Sequence, residues 1–202
     1  EIDSAANYLA AVNTRGGVLT INTVAFEGSS GANPVGASYT TSNFGDHLYN
    51  DQSVVTGQLG TLLDDFNYNN AAGSQNLTLR NLIVGCSYTL TLYNRVYGNP
   101  GDRTQAITTT SGATTTFNPD AGPGANTLSL LEYSFKASGS TETISFTRQS
   151  TGSYHLYGFS VTEDSGIAYT DDVTRRDSGT KVIDGTPVSN VRIVEGTGTP
   201  GD

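Results

Sequence analysis

Cys86-Ser-Tyr-Thr-Leu-Thr-Leu-Tyr-Asn-Arg-Val-Tyr97 alternates along its whole length. Tyr88, Leu90 and Leu92 fall on one side of a period-2 pattern, and Thr89, Thr91 and Tyr93 on the other. Aromatic and β-branched residues in that rhythm mark a strand with one buried face. Downstream the same unit recurs, a short strand followed by a Gly, Pro or Asn turn. Leu131, Tyr133, Phe135 and Ala137 alternate with Glu132, Ser134 and Lys136, and Ile144 and Phe146 continue the rhythm. Tyr154-His-Leu-Tyr-Gly-Phe-Ser-Val161 is apolar on both faces, as a central strand would be.

Between these runs, Asn99-Pro-Gly-Asp102 has the residues of a β-turn, and Asn118–Asn126 reads as a long surface loop. Upstream, Leu77-Thr-Leu79 is a strand that turns at Asn81–Gly85 into the central one. Val18–Phe26 alternates as a single strand, and Glu27–Asn50 carries loop signals. Ser53–Phe66 fits a helical turn or two as well as a strand, and Ser4–Val12 has the propensity of a short helix. Strands at this spacing predict an all-β domain, a jelly-roll-like antiparallel β-sandwich over residues 1–164. A C-terminal extension, 165–202, follows. It is polar at first and then holds two apolar runs, Lys181–Ile183 and Val188–Val194. Val182, Ile183, Val188, Val191, Ile193 and Val194 are the candidate assembly residues, because an extended apolar segment outside a finished domain is what strand addition to a neighbour requires. The extension is equally readable as a hairpin on its own domain or a linker.

Composition excludes several function classes. The 202 residues carry a net charge of −9, with only Lys136 and Lys181 as lysines. Phosphate backbones need clustered cations, so neither nucleic acid nor an anionic membrane surface is an expected partner. No apolar run is long enough to span a membrane. Cys86 is the single cysteine, which rules out an internal disulfide and reads as a small buried hydrophobe. The chain has no Met and begins at Glu1, which reads as an end left by processing. With the acidic, Lys-poor, Thr/Gly/Asn-rich composition, this predicts an extracellular or cell-surface location.

Motifs for catalysis are missing: the sequence has no nucleophile elbow, zinc-protease helix or phosphate loop. His155 reads as a hydrogen-bonded or surface histidine. Oxygen ligands concentrate at Asp64-Asp-Phe-Asn-Tyr-Asn-Asn70 and at Asn118-Pro-Asp120, so calcium is the one candidate cofactor, with Asp64, Asp65 and Asn67 as its ligands. Neither loop has the EF-hand register, and Asp and Asn in turns mostly bond their own backbone. Tyr93, Arg95 and Tyr97 share the strand face opposite Leu90, with Arg103 and Gln105 across the turn. That set reads as a ligand platform, a protein interface, or a solvated cross-strand ladder. Asn76-Leu-Thr78 is a glycosylation sequon inside a predicted strand.

Several of these stretches resemble a known family. Asp64–Asn70, Leu77–Thr89, Leu92-Tyr-Asn-Arg, Gly101–Gln105, Glu132-Tyr-Ser-Phe and Tyr154–Phe159 look like modules of secreted bacterial surface proteins. Such modules are common in planctomycetes and verrucomicrobia, often beside a PEP-CTERM-type sorting tag. The resemblance covers roughly residues 2–163 and implies a galactose-binding-like jelly roll with no catalytic residues to carry over. This sequence has no such tag, and residues 165–202 lie outside the module. The resulting expectation is a non-enzymatic extracellular structural protein. It would be a homo-oligomeric or polymeric subunit of a filament, sheath or layer, joined by its C-terminal strand. The alternative is a carbohydrate-binding or adhesive module whose partner is a polysaccharide.

Overall fold

A computed structural model describes residues 2–70, 73–164 and, as backbone only, 190–194. The strands are β1 (Asn7–Asn13), β2 (Leu19–Ile21), β3 (Val24–Gly28), β4 (Val35–Gly36) and β5 (Tyr39–Ser42). Next come β6 (Asp46–Tyr49), β7 (Asp65–Tyr68), β8 (Gln75–Arg80), β9 (Ser87–Arg95) and β10 (Gln105–Thr109). The last are β11 (Thr114–Phe117), β12 (Leu128–Lys136), β13 (Thr141–Arg148), β14 (Gly158–Asp164) and β15 (Asn190–Val194). One short helix, α1 (Gly57–Leu62), precedes β7.

Two sheets face each other. One has the order β15-β12-β9-β14-β1-β3-β2 and the other β11-β10-β13-β8-β5-β4, while β6 and β7 form a separate ribbon. From β8 to β14 the chain passes repeatedly from one sheet to the other, as in a jelly roll. Pairing is antiparallel except between β1 and β3. The all-β sandwich read from the alternating stretches is the observed fold.

Between the sheets lies the main core, which includes Leu90 and Leu92 of β9, Tyr133 and Phe135 of β12, and Phe159 and Val161 of β14. Phe146 and Tyr154 stack within it, with ring centres 4.0 Å apart. A second core covers the opposite face of β9 and β14, where Phe26, Leu62, Leu63, Phe66, Tyr93 and Tyr157 meet. Burying one such side chain stabilises by about 1.5–3 kcal/mol, so neither layer is decorative. On the outer face of the six-stranded sheet, hydroxyl and amide groups pair with one another. Thr78 and Thr143 meet at 2.8 Å, and the Ser145 hydroxyl donates to Asn76 Oδ1 at 2.7 Å. The sequon asparagine therefore sits in a sheet ladder.

Local expectations are corrected in five places. Most of the stretch 4–12, read as helical, lies in β1 (Asn7–Asn13), because pairing to β14 and β3 outweighs an alanine-rich propensity. Val18–Phe26 is a hairpin: Asn22 and Thr23 take positive φ (48° and 66°) and split it into β2 and β3. The loop-like stretch 27–50 contains β4, β5 and β6. Residues 53–66 resolve into α1 followed by the start of β7. The last strand begins at Gly158, while Tyr154–Tyr157 is a buried crossing segment tied to β7 by the Asn67–Leu156 bridge.

Of the expected assembly residues, Val182, Ile183 and Val188 lie outside the described residues. Val191, Ile193 and Val194 lie on β15, whose backbone pairs antiparallel with β12 of the same chain, from Leu130↔Val194 to Ser134↔Asn190.

Gly158 lets the two layers close. A Cβ there would lie 2.7 Å from Leu62 Cδ1 and 2.8 Å from the Val12 carbonyl oxygen. Gly158→Ala should therefore cost about 1–3 kcal/mol by overpacking, read as a lower denaturant midpoint at unchanged slope.

Candidate functional site

At one end of the sandwich the β6–β7 ribbon leans on the segments that follow β9 and precede β14. Even-numbered residues of β7 face inward there, so Phe66 and Tyr68 meet Tyr97, His155 and Tyr157. The His155 ring stacks on Phe66 at 4.1 Å and 20°. Tyr97 approaches Phe66 edge-on at 5.4 Å and His155 at 4.9 Å. Tyr68 closes the other side, 5.8 Å from both. Phe66 and Tyr157 are fully buried, whereas Tyr68 and Tyr97 keep part of each ring exposed. The Tyr68 hydroxyl donates to Asp46 Oδ2 at 3.1 Å, and this bond keeps it protonated above the usual phenol range.

Arg103 crosses to this cluster from the segment before β10. Its Nε donates to Asp120 Oδ2 at 2.9 Å, and its Nη1 donates to the Ser153 carbonyl and to His155 Nε2. Its guanidinium carbon lies 5.4 Å from the Tyr97 ring centre. None of these bonds uses Nη2. Asp120 also accepts the Tyr97 backbone N–H at 2.9 Å. Gly152 leaves room for the arginine, since a Cβ there would lie 2.7 Å from Arg103 Nη1.

An arginine only donates, so His155 Nε2 must accept and the proton resides on Nδ1. Burial, reinforced by the charges of Arg103 and Arg95, holds the His155 pKa well below the ordinary imidazole value. The ring is therefore neutral, with its outer nitrogen already engaged. Among the described residues Nδ1 has no hydrogen-bond partner.

Arg95 lies deeper and is fully buried. Its Nη1 donates to the Asn50 carbonyl at 2.7 Å and lies 3.8 Å from Asp64 Oδ1. The guanidinium carbon sits 5.5 Å from the Tyr157 ring centre and 5.9 Å from that of Tyr97. Burial raises the Asp64 pKa, and the Arg95 charge opposes that rise.

The five residues expected on one open face are thus divided. Tyr93, Arg95 and Tyr97 do share a face of β9 and its continuation, but the β2–β3 hairpin, α1 and β7 cover it as the second core. Tyr93 is buried, donating or accepting a 3.0 Å bond with Ser160 Oγ and packing edge-on against Phe26. Gln105 is buried as well, donating to the Arg103 and Gly152 carbonyls. Only Tyr97 and Arg103 reach the surface. Sequence reasoning missed Tyr68, Asp46 and the Phe66–His155 stack; the period-2 spacing of His155 and Tyr157 was the available signal.

The candidate calcium ligands do not converge. Asp64 faces Arg95, while Asp65 and Asn67 occupy the other face of β7, where Asn67 Nδ2 lies 3.1 Å and 3.3 Å from the Gly31 and Ala32 carbonyls. Asp64 Oδ1, Asp65 Oδ1 and Asn67 Oδ1 are buried without a hydrogen-bond partner, whereas in the other loop Asn118 Oδ1 accepts from the Arg103 and Asp120 backbone N–H groups. Among the described residues no group of three or more His, Cys, Asp or Glu is placed to hold a metal ion. No helix among them is long and apolar enough to cross a membrane.

No protein-family model matches the chain, and no curated protein matches it. Among solved structures it is similar to a β-glucuronidase of Bacteroides uniformis, with a TM-score of 0.60 and 15% identity over 76% of this chain and 18% of that one. It is also similar to the ANXUR2 extracellular domain of Arabidopsis thaliana, with a TM-score of 0.58 and 9% identity over 77% and 48% of the two chains. A third similarity is to a chain in the crystal structure of the plant peptide RALF23 in complex with FER and LLG2, with a TM-score of 0.55 and 13% identity over 91% and 48%. The chain spans about a fifth of the glucuronidase and about half of the plant ectodomain chains. At these identities the likeness establishes a shared β-sandwich fold, which is as far as the resemblance to bacterial surface modules extends.

His155 makes stability pH-dependent with a definite sign. The unfolded chain takes up a proton near pH 6.5 that the native chain refuses, so stability falls as the pH drops below that value. Denaturant titrations from pH 7 to 5.5 should show a loss of up to about 1.4 kcal/mol per pH unit in excess of the His155→Gln variant.

Proposed function

We propose that the chain is a non-enzymatic extracellular module that holds a saccharide against the Tyr68–Tyr97–Arg103 end of the sandwich. One observation carries this reading: two partly exposed tyrosine rings flank an arginine, and all three are fixed by the buried Phe66–His155 stack and the Arg103–Asp120 ion pair. Sugar rings offer C–H faces to aromatic surfaces and hydroxyls to charged groups, and sites of this kind combine apolar walls with few, fixed polar atoms. Rigid support means little ordering cost on binding. The fold recurs in a bacterial β-glucuronidase and in plant receptor ectodomains, which favours a secreted location and an adhesive use.

A second reading, a subunit of a surface filament, sheath or layer, requires residues 190–194, which pair with β12 of their own chain, to take the same place on a neighbour.

A panel of neutral and acidic glycans should yield a ligand for the intact chain. Tyr68→Ala should weaken that ligand at least tenfold without lowering the melting temperature by more than a few degrees. Tyr49→Ala, on the opposite face of the ribbon and 63% exposed, should change neither. A flat panel would overturn the saccharide reading.

A further inference from the structure

β12 has two unequal edges. Its nine residues pair in full with β9 on one side, from Leu128↔Arg95 to Lys136↔Ser87. On the other side, among the described residues, only Leu130–Ser134 are covered, and β15 is the strand that covers them. β15 ends its sheet, with β12 as its one neighbour in the strand order. Both faces of β12 carry apolar side chains: Leu131, Tyr133 and Phe135 enter the main core, while Leu128 and Leu130 pack on the second. A long edge bordered by apolar residues is a template for another strand, which native proteins cover or charge.

The chain length between the two partners is far more than self-coverage needs. Asp164 lies opposite Ser87, and Asn190 opposite Ser134, so both sit toward the same end of the sheet. Three strand spacings, about 14 Å, separate β14 from β15. The 25 residues from 165 to 189 have a contour length of roughly 80–90 Å. That reach is enough to place 190–194 on a neighbouring molecule. The register also carries a charge match: Arg192 is the Cα partner of Glu132, and a one-residue slip would remove it.

We propose that the outer edge of β12 is a strand-acceptor site whose occupant is residues 190–194, from the same chain when dilute and from a second copy when copies are crowded. Exchange between copies competes with pairing inside one chain, so it requires a high local density of neighbours, as in a surface array. This deepens the subunit reading and is independent of the saccharide site.

The test uses the full chain in a Cys86→Ser background. A Ser134→Cys chain is mixed with an Asn190→Cys chain under oxidising conditions, and one chain carrying both substitutions is oxidised alone. We expect the double variant to close internally when dilute, and the mixed pair to give a reducible covalent dimer whose yield rises severalfold toward mM. Internal closure at every concentration, with no dimer from the mixture, would overturn exchange while leaving the pairing in place. No disulfide in either experiment would overturn the register itself. Glycan binding by the full chain, with and without Tyr68→Ala, reads the saccharide site separately, so the two proposals fail independently.

Discussion

A sheet strand buried on both faces needs two covers, and β9 and β14 obtain theirs from different parts of the chain. The six-stranded sheet covers the inner face. The first third of the molecule, through β2, β3 and α1, covers the outer one, with β7 behind it. This second cover gives the module its asymmetry. To seal Tyr93 and Tyr157 the chain must bring Phe66 across the end of the sandwich. Tyr68, two residues on, then arrives beside Tyr97.

The same burial sets the electrostatics. Arg95 is taken out of water with one backbone acceptor and a carboxylate at 3.8 Å, whereas Arg103, at 15% side-chain exposure, holds a 2.9 Å bond to Asp120. An arginine buried beside two aromatic rings recovers part of its lost hydration through their π faces, but the cost of leaving water is larger than that recovery. Removing Arg95 or Asp64 alone would strand the other charge, so the pair acts as a structural unit. Arg95 keeps Nε and Nη2 buried without a partner, whereas the unused Nη2 of Arg103 belongs to a side chain that reaches the surface.

Much of this was legible in residue order. β8, β9, β12 and β13 follow from alternation alone, because one face of each is mainly apolar and the other is interrupted by polar residues such as Thr78, Thr91, Ser134 and Ser145. Periodicity could not reveal β1, where Ala5, Ala6, Ala10 and Ala11 favour a helix and only distant pairing to β14 decides otherwise. It also placed Tyr93 and Arg95 correctly on the face opposite Leu90, yet could not show that α1 and β3 would roof that face. Alternation reports which residues share a side, and the cover on that side is a long-range fact. The Arg103–Asp120–His155 contact is equally invisible, since it joins three loops that no pattern relates.

The antiparallel neighbours β1 and β14 begin and end at one pole of the sandwich, where Asn7 faces Glu163. Tension applied between residues 7 and 164 would therefore peel that ladder from its tip, one bond at a time. β15 runs the other way along β12 and leaves at Val194, toward the opposite pole. With that strand seated, tension between residues 7 and 194 runs along the strand axes and loads the β12–β15 bonds together, in shear. Docking one short strand converts the module from a zipper into a lap joint.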